Sequence, residues 1–534
     1  MKLKLNSSII AVLVLSMFFL SCTKDFEEIN QTPDKINVEQ VTVAGLFNGI
    51  AKDATAGSGA LNITLLLDYT NQQAVQNVFT PYINYGGSGL WNAYYPVLYD
   101  YKKLQKLIDE NPVKNSYANV KYMADILMAS KTLQMLDFYG DIPYSSASLA
   151  DSGSQFRHPV YDKQADVYKS VLADLKAAAD GIIVDGSGQT SLGNSESFLG
   201  SDYAAWVRFA NALRLRYAVR LYDKEQSLAS DIINDIIGGN KPLPENQNPA
   251  ALQKNNFGLW PSLVSPAIIN GDFYRGFAEN SISQLRLSTN VWAQVSSNNN
   301  TDGSGIFDPR TVIWFAPNNA GLWVAQPQDH SQAESGDPYP DNETRPAIGT
   351  DPGNKFAAFN IDLVISYRTL PLVFIITEAD VYFLKAEIYQ RGLGVAKDPA
   401  AAKTAYEAGI KSSVDFWYSI QLDKLTQPPA PTDAEMSAFL AVPSVAYDGS
   451  NDADALKKIA TQAWLATLWE PAESWAIARR TGLTPKDPGY TPAVRVNKIP
   501  YPDDERTNNN ANWQLATGGA SPDQQAIGKV YWMP

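Results

Sequence analysis

Cysteine is almost missing from this chain of 534 residues: Cys22 is the only one, so no disulfide can form within it. Histidine is nearly as scarce. With only His158 and His330 there is no HExxH zinc motif and no three-histidine site. No G-x-S-x-G elbow or phosphate-cradling P-loop occurs either. An excess of basic residues is also lacking. Lys and Arg total 43 against 56 acids, a formal net charge of −13, and the pI is about 4.8. That balance leaves no electrostatic footprint for nucleic acid or for anionic lipid headgroups, whereas neutral or cationic partners suit it. Long apolar runs are absent with one exception, Ile9 to Leu20. It is about 12 residues long, short of the about 20 that a transmembrane helix needs.

That one run has a recognisable context. Lys2 and Lys4 precede it, and the small residue Ser21 and then Cys22 follow it, the order of a secretory signal. A signal ending at a cysteine resembles a bacterial lipoprotein signal, with Phe19 here in place of the usual leucine three residues before it. The resemblance implies cleavage after residue 21 and lipidation of Cys22, followed by an acidic tether over 22–40. Loss of Lys2 and Lys4 would make the rest of the chain still more acidic. With Cys22 acylated, no thiol nucleophile is left.

What is present is apolar and aromatic. Hydrophobic residues at 45% permit a sizeable core, and 12 Trp with 27 Tyr supply rings that serve either a core or a sugar-stacking surface. Most of the periodic sequence is helical. Tyr94, Val97, Tyr101, Leu104 and Ile108 form one stripe ahead of Asn111-Pro112, and Trp206, Phe209, Leu213, Tyr217 and Leu221 form another. Arg214, Arg216 and Arg220 flank the second stripe as a solvated or ion-paired edge. Gly140 has the place of a C-terminal cap. Thr377 and Asp380 predict a capping box for a helix closed by Gly392, and Asp398-Pro399 predict the start of the next. That next helix carries Ala402, Tyr406, Ile410, Val414 and Trp417 on one side; "LKAEIYQRG" with "AAAKTAYEAGI" has the pattern of a tetratricopeptide helix pair. From about 240 to 372 the helical period disappears into Asn, Gly, Pro and Ser with isolated aromatics, which points to a functional irregular region.

Several ordered segments resemble the SusD/RagB family, surface glycan-binding lipoproteins that pair with TonB-dependent outer-membrane transporters. They are "DFYGDIPYS" (Asp137 to Ser145), "YDKQADVYKSVLADL" (Tyr161 to Leu175), "WVRFANALRLRYAVRL" (Trp206 to Leu221), "DPR" (Asp308 to Arg310), "ITEADVYFLKAEIYQRG" (Ile376 to Gly392), "ESWAIARRTGL" (Glu473 to Leu483), "KIPYPDDE" (Lys498 to Glu505) and the terminal "KVYWMP". The resemblance implies an all-α fold of about four tetratricopeptide-like pairs carrying a large irregular region. A single domain over 41–534 is expected, with scaffold at about 41–239 and 373–483, ligand-facing loops at about 240–372 and a C-terminal loop segment at 484–534. The implied role is a non-enzymatic one: an oligosaccharide-binding lipoprotein on the outer-membrane surface, beside a SusC-like TonB-dependent transporter. The alternatives are a RagB-like peptide binder and, behind it, a glycoside hydrolase, which needs only two suitably spaced carboxylates.

Binding residues are expected in loops. In the family, a Trp and an Asn ahead of the first scaffold helix contribute to the glycan platform; Trp91 and Asn92 take that place here, although Trp91 equally suits a helix-start staple. Asp68 could accept from sugar hydroxyls or act as a surface or capping carboxylate. Tyr274, Trp292 and Trp323 lie in the irregular region, as ligand contacts or local core. Asn298, Asn300 and Asp302 imitate the start of an EF-hand loop, but Pro309 stands where the bidentate Glu belongs. An Asn/Gly turn explains the same residues without calcium; no cofactor is expected, with calcium at this loop as the lesser alternative.

Overall fold

A computed structural model describes residues 41–55, 69–75, 87–245, 252–258, 285–318, 320–328, 355–360, 374–420, 428–487 and 496–534. The signal (1–21), the tether (22–40) with Cys22, and the candidates Asp68 and Tyr274 lie outside these residues.

The fold is all-α. The first half of the scaffold comprises α1 (Val43–Thr55), α2 (Gly87–Asp109), α3 (Ala118–Tyr139), α4 (Gln164–Gly181), α5 (Tyr203–Leu221) and α6 (Gln226–Ile233), each packed on the one before it. A short α7 (Leu252–Asn255) leads into the middle region, where α8 (Thr289–Val295) and α9 (Thr311–Trp314) lie. The second half comprises α10 (Glu378–Arg391), α11 (Pro399–Ser419), α12 (Asp433–Leu440), α13 (Asp452–Ala466) and α14 (Pro471–Thr481). Helix α10 packs on both α11 and α13 and joins the halves by also contacting α5. The antiparallel neighbours α3/α4, α10/α11 and α13/α14 give the tetratricopeptide-like character expected from sequence.

The capping chemistry follows the sequence closely. Thr377 accepts from the Asp380 N–H while Asp380 accepts from the Thr377 N–H; Gly392 ends α10 in the left-handed region, and Asp398 caps α11 with Pro399 at its first position. Every residue of the stripe Ala402, Tyr406, Ile410, Val414 and Trp417 is buried. Helix α5 departs from the amphipathic expectation because, Arg208 excepted, every residue from Ala205 to Leu221 is buried. Arg214, Arg216 and Arg220 are therefore not a solvated edge; all three are buried. They remain ion-paired, as burial of a charge requires. Arg216 reaches Asp380 at 2.8 Å and Glu470 at 3.3 Å, and Arg220 pairs with both Asp137 and Glu473.

Two stretches are more ordered than their patterns suggest. The described part of the irregular region contributes three strands to a four-stranded antiparallel sheet in the order β1 (Gln73–Val75), β3 (Leu285–Leu287), β5 (Ala358–Phe359), β4 (Phe315–Ala316), and its β2 (Phe257–Gly258) pairs with β6 (Phe374–Ile376). Strands this short cannot display an alternating period. The C-terminal segment expected as loop forms α15 (Asp503–Asn508), α16 (Asn510–Thr517) and α17 (Pro522–Ile527). It ends with Trp532 buried in the scaffold, where the indole N–H donates to Asp137 at 2.7 Å. Among the described residues no helix is long and apolar enough to cross a membrane.

Candidate functional site

Trp91 and Asn92 separate on the structure. Both lie inside α2, which starts at Gly87, earlier than the stripe from Tyr94 suggests. Trp91 is 4% exposed, and the rings of Tyr95, Tyr139, Tyr501 and Tyr161 pack around it at centroid distances of 5.1, 5.1, 5.6 and 6.3 Å. Its faces are occupied by the protein, so the staple reading describes it. Asn92 is exposed on the helix surface. Consecutive helical residues point in different directions, so the pair does not form one platform.

Trp292 and Trp323 come together. The Ser288 side chain caps α8 by accepting from the Val291 N–H, and Trp292 points from this helix into a core with Trp314 and Trp417. The segment 322–326 is tied beside it: Gln326 N–H donates to the Leu287 carbonyl at 2.8 Å, and Trp323 N–H donates to the Thr301 carbonyl at 2.7 Å. The two indoles stack at 6.2 Å with 15° between planes. Trp292 is 5% exposed; Trp323 is half-buried, so Trp292 backs a ring that remains accessible.

The Asn/Gly turn supports this ring. Asn298 Oδ1 accepts from the Asn300 N–H at 2.9 Å, and Asp302 Oδ1 accepts from the Ser304 N–H and hydroxyl at 2.9 and 2.7 Å. Those are Asx turns. Gly303 has φ +79°, and a Cβ there would lie 2.8 Å from Trp323 Nε1, so glycine serves both the turn and the close approach of the indole. Among the described residues no group of three or more His, Cys, Asp or Glu is placed to hold a metal.

Trp323 opens onto a cleft of about 640 Å³ lined also by Phe307, Tyr418, Phe439, Asp302 and Glu435. One wall is the "DPR" turn. Asp308 and Arg310 are fully buried and bidentate, with Nη2–Oδ2 at 2.6 Å and Nε–Oδ1 at 3.0 Å, and Arg310 also donates to Ser413 on α11 and Gln462 on α13. This pins the loop to the scaffold. The Tyr418 hydroxyl donates to the Pro309 carbonyl at 2.9 Å, and its acidity is pushed away, to about 12, by burial and then by the Asp308 and Glu435 carboxylates. The opposite wall is α12, opened by a Thr432/Glu435 capping box. Glu435 Oε2 accepts from the Thr432 N–H and hydroxyl at 2.7 and 2.8 Å, and these bonds hold its carboxyl below the usual range. The Ser304 bonds do the same for Asp302.

The cleft therefore offers an aromatic face backed by a second indole, further apolar rings and two fixed carboxylates. Phe307, Tyr418, Glu435 and Phe439 escaped the sequence reading. The Thr432-x-x-Glu435 spacing and the "DPR" segment were available signals, but neither says that α12 faces Trp323.

A second cavity, of 190 Å³, lies among Arg216, Asp380, Glu387, Glu473 and Arg480. Its charges are committed to one another: Arg480 is bidentate to Glu387, and Glu473 pairs with Arg216 and Arg220. The arrangement is that of a structural network rather than a receptor for ligand.

Comparison with known proteins follows the same architecture. The family model SusD-like_2, described as "Starch-binding associating with outer membrane", matches residues 35–500. Among solved structures, a chitin-binding protein superposes with a TM-score of 0.67 at 19% identity, covering 92% of this chain and 100% of that one. A SusD homolog from Parabacteroides distasonis gives 0.67 at 19% identity, with 92% and 98% covered. A chitin-binding SusD homolog from Flavobacterium johnsoniae gives 0.62 at 20% identity, also with 92% and 98% covered. A comparison with curated protein sequences finds no match.

Proposed function

The chain belongs to the SusD-like family, and from that premise we propose that it is a lipid-anchored outer-membrane surface protein that captures an oligosaccharide and delivers it to a SusC-like TonB-dependent transporter. The observation that carries the ligand class is the accessible Trp323 ring, backed by Trp292 and set in a cleft with Tyr418 and two carboxylates. A pyranose presents an apolar face to stack and a rim of hydroxyls to donate, and this lining matches both. The family description and the two relatives named for chitin support the same reading.

Anchoring rests on Cys22 at the end of the signal-like run. Two or three acyl chains give stable attachment where one is marginal. Delivery rests on a physical need: a tethered binder holds its ligand at the surface and needs a channel to import it. Confinement to one membrane raises the effective concentration of both partners, so a modest interface suffices.

Glycan and peptide arrays probed with the detergent-solubilised full chain, with product analysis, test the ligand class. Binding to oligosaccharides with no product released is expected. Tight peptide binding without glycan signal would favour the RagB-like alternative, and release of reducing ends would favour a hydrolase.

A further inference from the structure

The charge on the cleft is one-sided. Among the described residues that line it, Asp302 and Glu435 are exposed carboxylates, and no lining residue is Lys, Arg or His. Behind the cleft wall, the Arg310 guanidinium is fully buried and committed to Asp308, Ser413 and Gln462. Asp308 is neutralised by that pair, and the surplus negative charge belongs to Asp302 and Glu435.

Both carboxylates are held by one oxygen. Asp302 uses Oδ1 for the two Ser304 bonds, and Glu435 uses Oε2 for the two Thr432 bonds. A carboxylate has acceptor capacity on both oxygens, so Asp302 Oδ2 and Glu435 Oε1 keep theirs for a ligand. Side chains fixed in this way lose little further freedom on binding, unlike mobile surface acids. An anionic sugar would meet these charges without a compensating cation among the described lining residues, and juxtaposed like charges are a strong bar to binding.

Resting on the oligosaccharide reading above, we infer that the cleft selects by charge: it takes amine-bearing oligosaccharides in preference to their neutral counterparts and rejects uronic or sulfated ones. The sugar ring stacks on Trp323 while an ammonium group pairs with the Asp302 or Glu435 oxygen left open. The hydrogen bonds that fix these acids also keep them ionised in mildly acidic solution, where sugar amines are protonated.

The test is calorimetric titration of the detergent-solubilised full chain, in mildly acidic low-salt buffer, with three probes: a glucosamine hexamer, its N-acetylated counterpart and an oligogalacturonate. The glucosamine hexamer is expected to bind about fivefold tighter than the acetylated one, the upper range for one exposed ion pair, and the oligogalacturonate not at all. High salt should erase that difference. So should the double variant Asp302→Asn/Glu435→Gln, in which Asn retains the turn and Gln the capping box, so that it binds the two hexamers with equal affinity. Equal or tighter binding of the acetylated hexamer, or any preference for the oligogalacturonate, overturns the charge inference and leaves the glycan reading in place. Silence from all three probes together with peptide capture on the array overturns both.

Discussion

Replacing Trp91 by alanine removes a ring that four tyrosines surround. Trp91→Ala is therefore expected to cost about 3–5 kcal/mol of folding stability, measured from the urea midpoint, with ligand affinity retained in the fraction that folds. Trp323→Ala should do the opposite: little change in stability and a loss of about 1–3 kcal/mol in glycan affinity, on the scale of base–aromatic stacking. The role of Trp91 was partly legible. It stands three residues before Tyr94, so the apolar stripe of α2 extends back one turn once the helix is started at Gly87. That of Trp323 was not. Its partner Trp292 is remote in sequence, and only the loop-to-strand bonds of Gln326 and Trp323 bring the two indoles together.

Helices here are joined by buried charge as well as by apolar faces. Glu473 on α14 and Glu387 on α10 both resist burial's upward pull because guanidinium groups hold their carboxyls down at about 2, against an ordinary 4.5. A depressed carboxylate adds stability that is present above its unfolded value and is lost as the group is protonated. Stability should thus fall steeply as pH drops from about 4.5 toward 2, followed by circular dichroism. Glu470 behaves in reverse. Burial first, and then the Asp380 carboxylate, raise its value, so its contribution is full in acid and declines as pH rises. Glu470→Gln should leave stability at neutral pH unchanged or higher, whereas Glu473→Gln should cost about 3–5 kcal/mol by leaving Arg220 and Arg216 undercompensated. Packing between helices gives a separate test at Gly409 of α11, where an added Cβ would lie 2.9 Å from the Phe383 ring of α10. An alanine would ordinarily gain up to about 1 kcal/mol in a helix. Overpacking costs about 1–3 kcal/mol, so Gly409→Ala should lower the melting temperature. At this scale the sequence was informative about caps and stripes, because both are local. It left the three arginines of α5 as a solvated or ion-paired edge. The ion pairs are present and only the burial was missed, since a helix packed between its neighbours carries no polar face to announce which charges are paired.

For the whole molecule, the all-α scaffold was legible from ordered segments spread across the chain, and the described helices bear it out. The sheet that links residues 73–75 to 285–287 and 358–359 was not, because strands of two or three residues leave no period and their pairing is set by tertiary contacts. Membrane attachment is testable at this scale: a fatty-acid probe should label the wild-type chain and miss Cys22→Ala, and equal labelling would remove the anchor. A mild-detergent pull-down should recover one stoichiometric β-barrel transporter, and repeated recovery of the chain alone, with cross-linking also negative, would remove the partner.

Capture of an oligosaccharide at the Trp323 cleft is tested most directly by calorimetric titration of the full chain and its Trp323→Ala variant with the strongest oligosaccharide from the array. A saturable single-site isotherm for the wild type, weakened by about 1–3 kcal/mol in a variant of unchanged melting temperature, is the result expected of a stacking platform. Identical isotherms for the two proteins would contradict it.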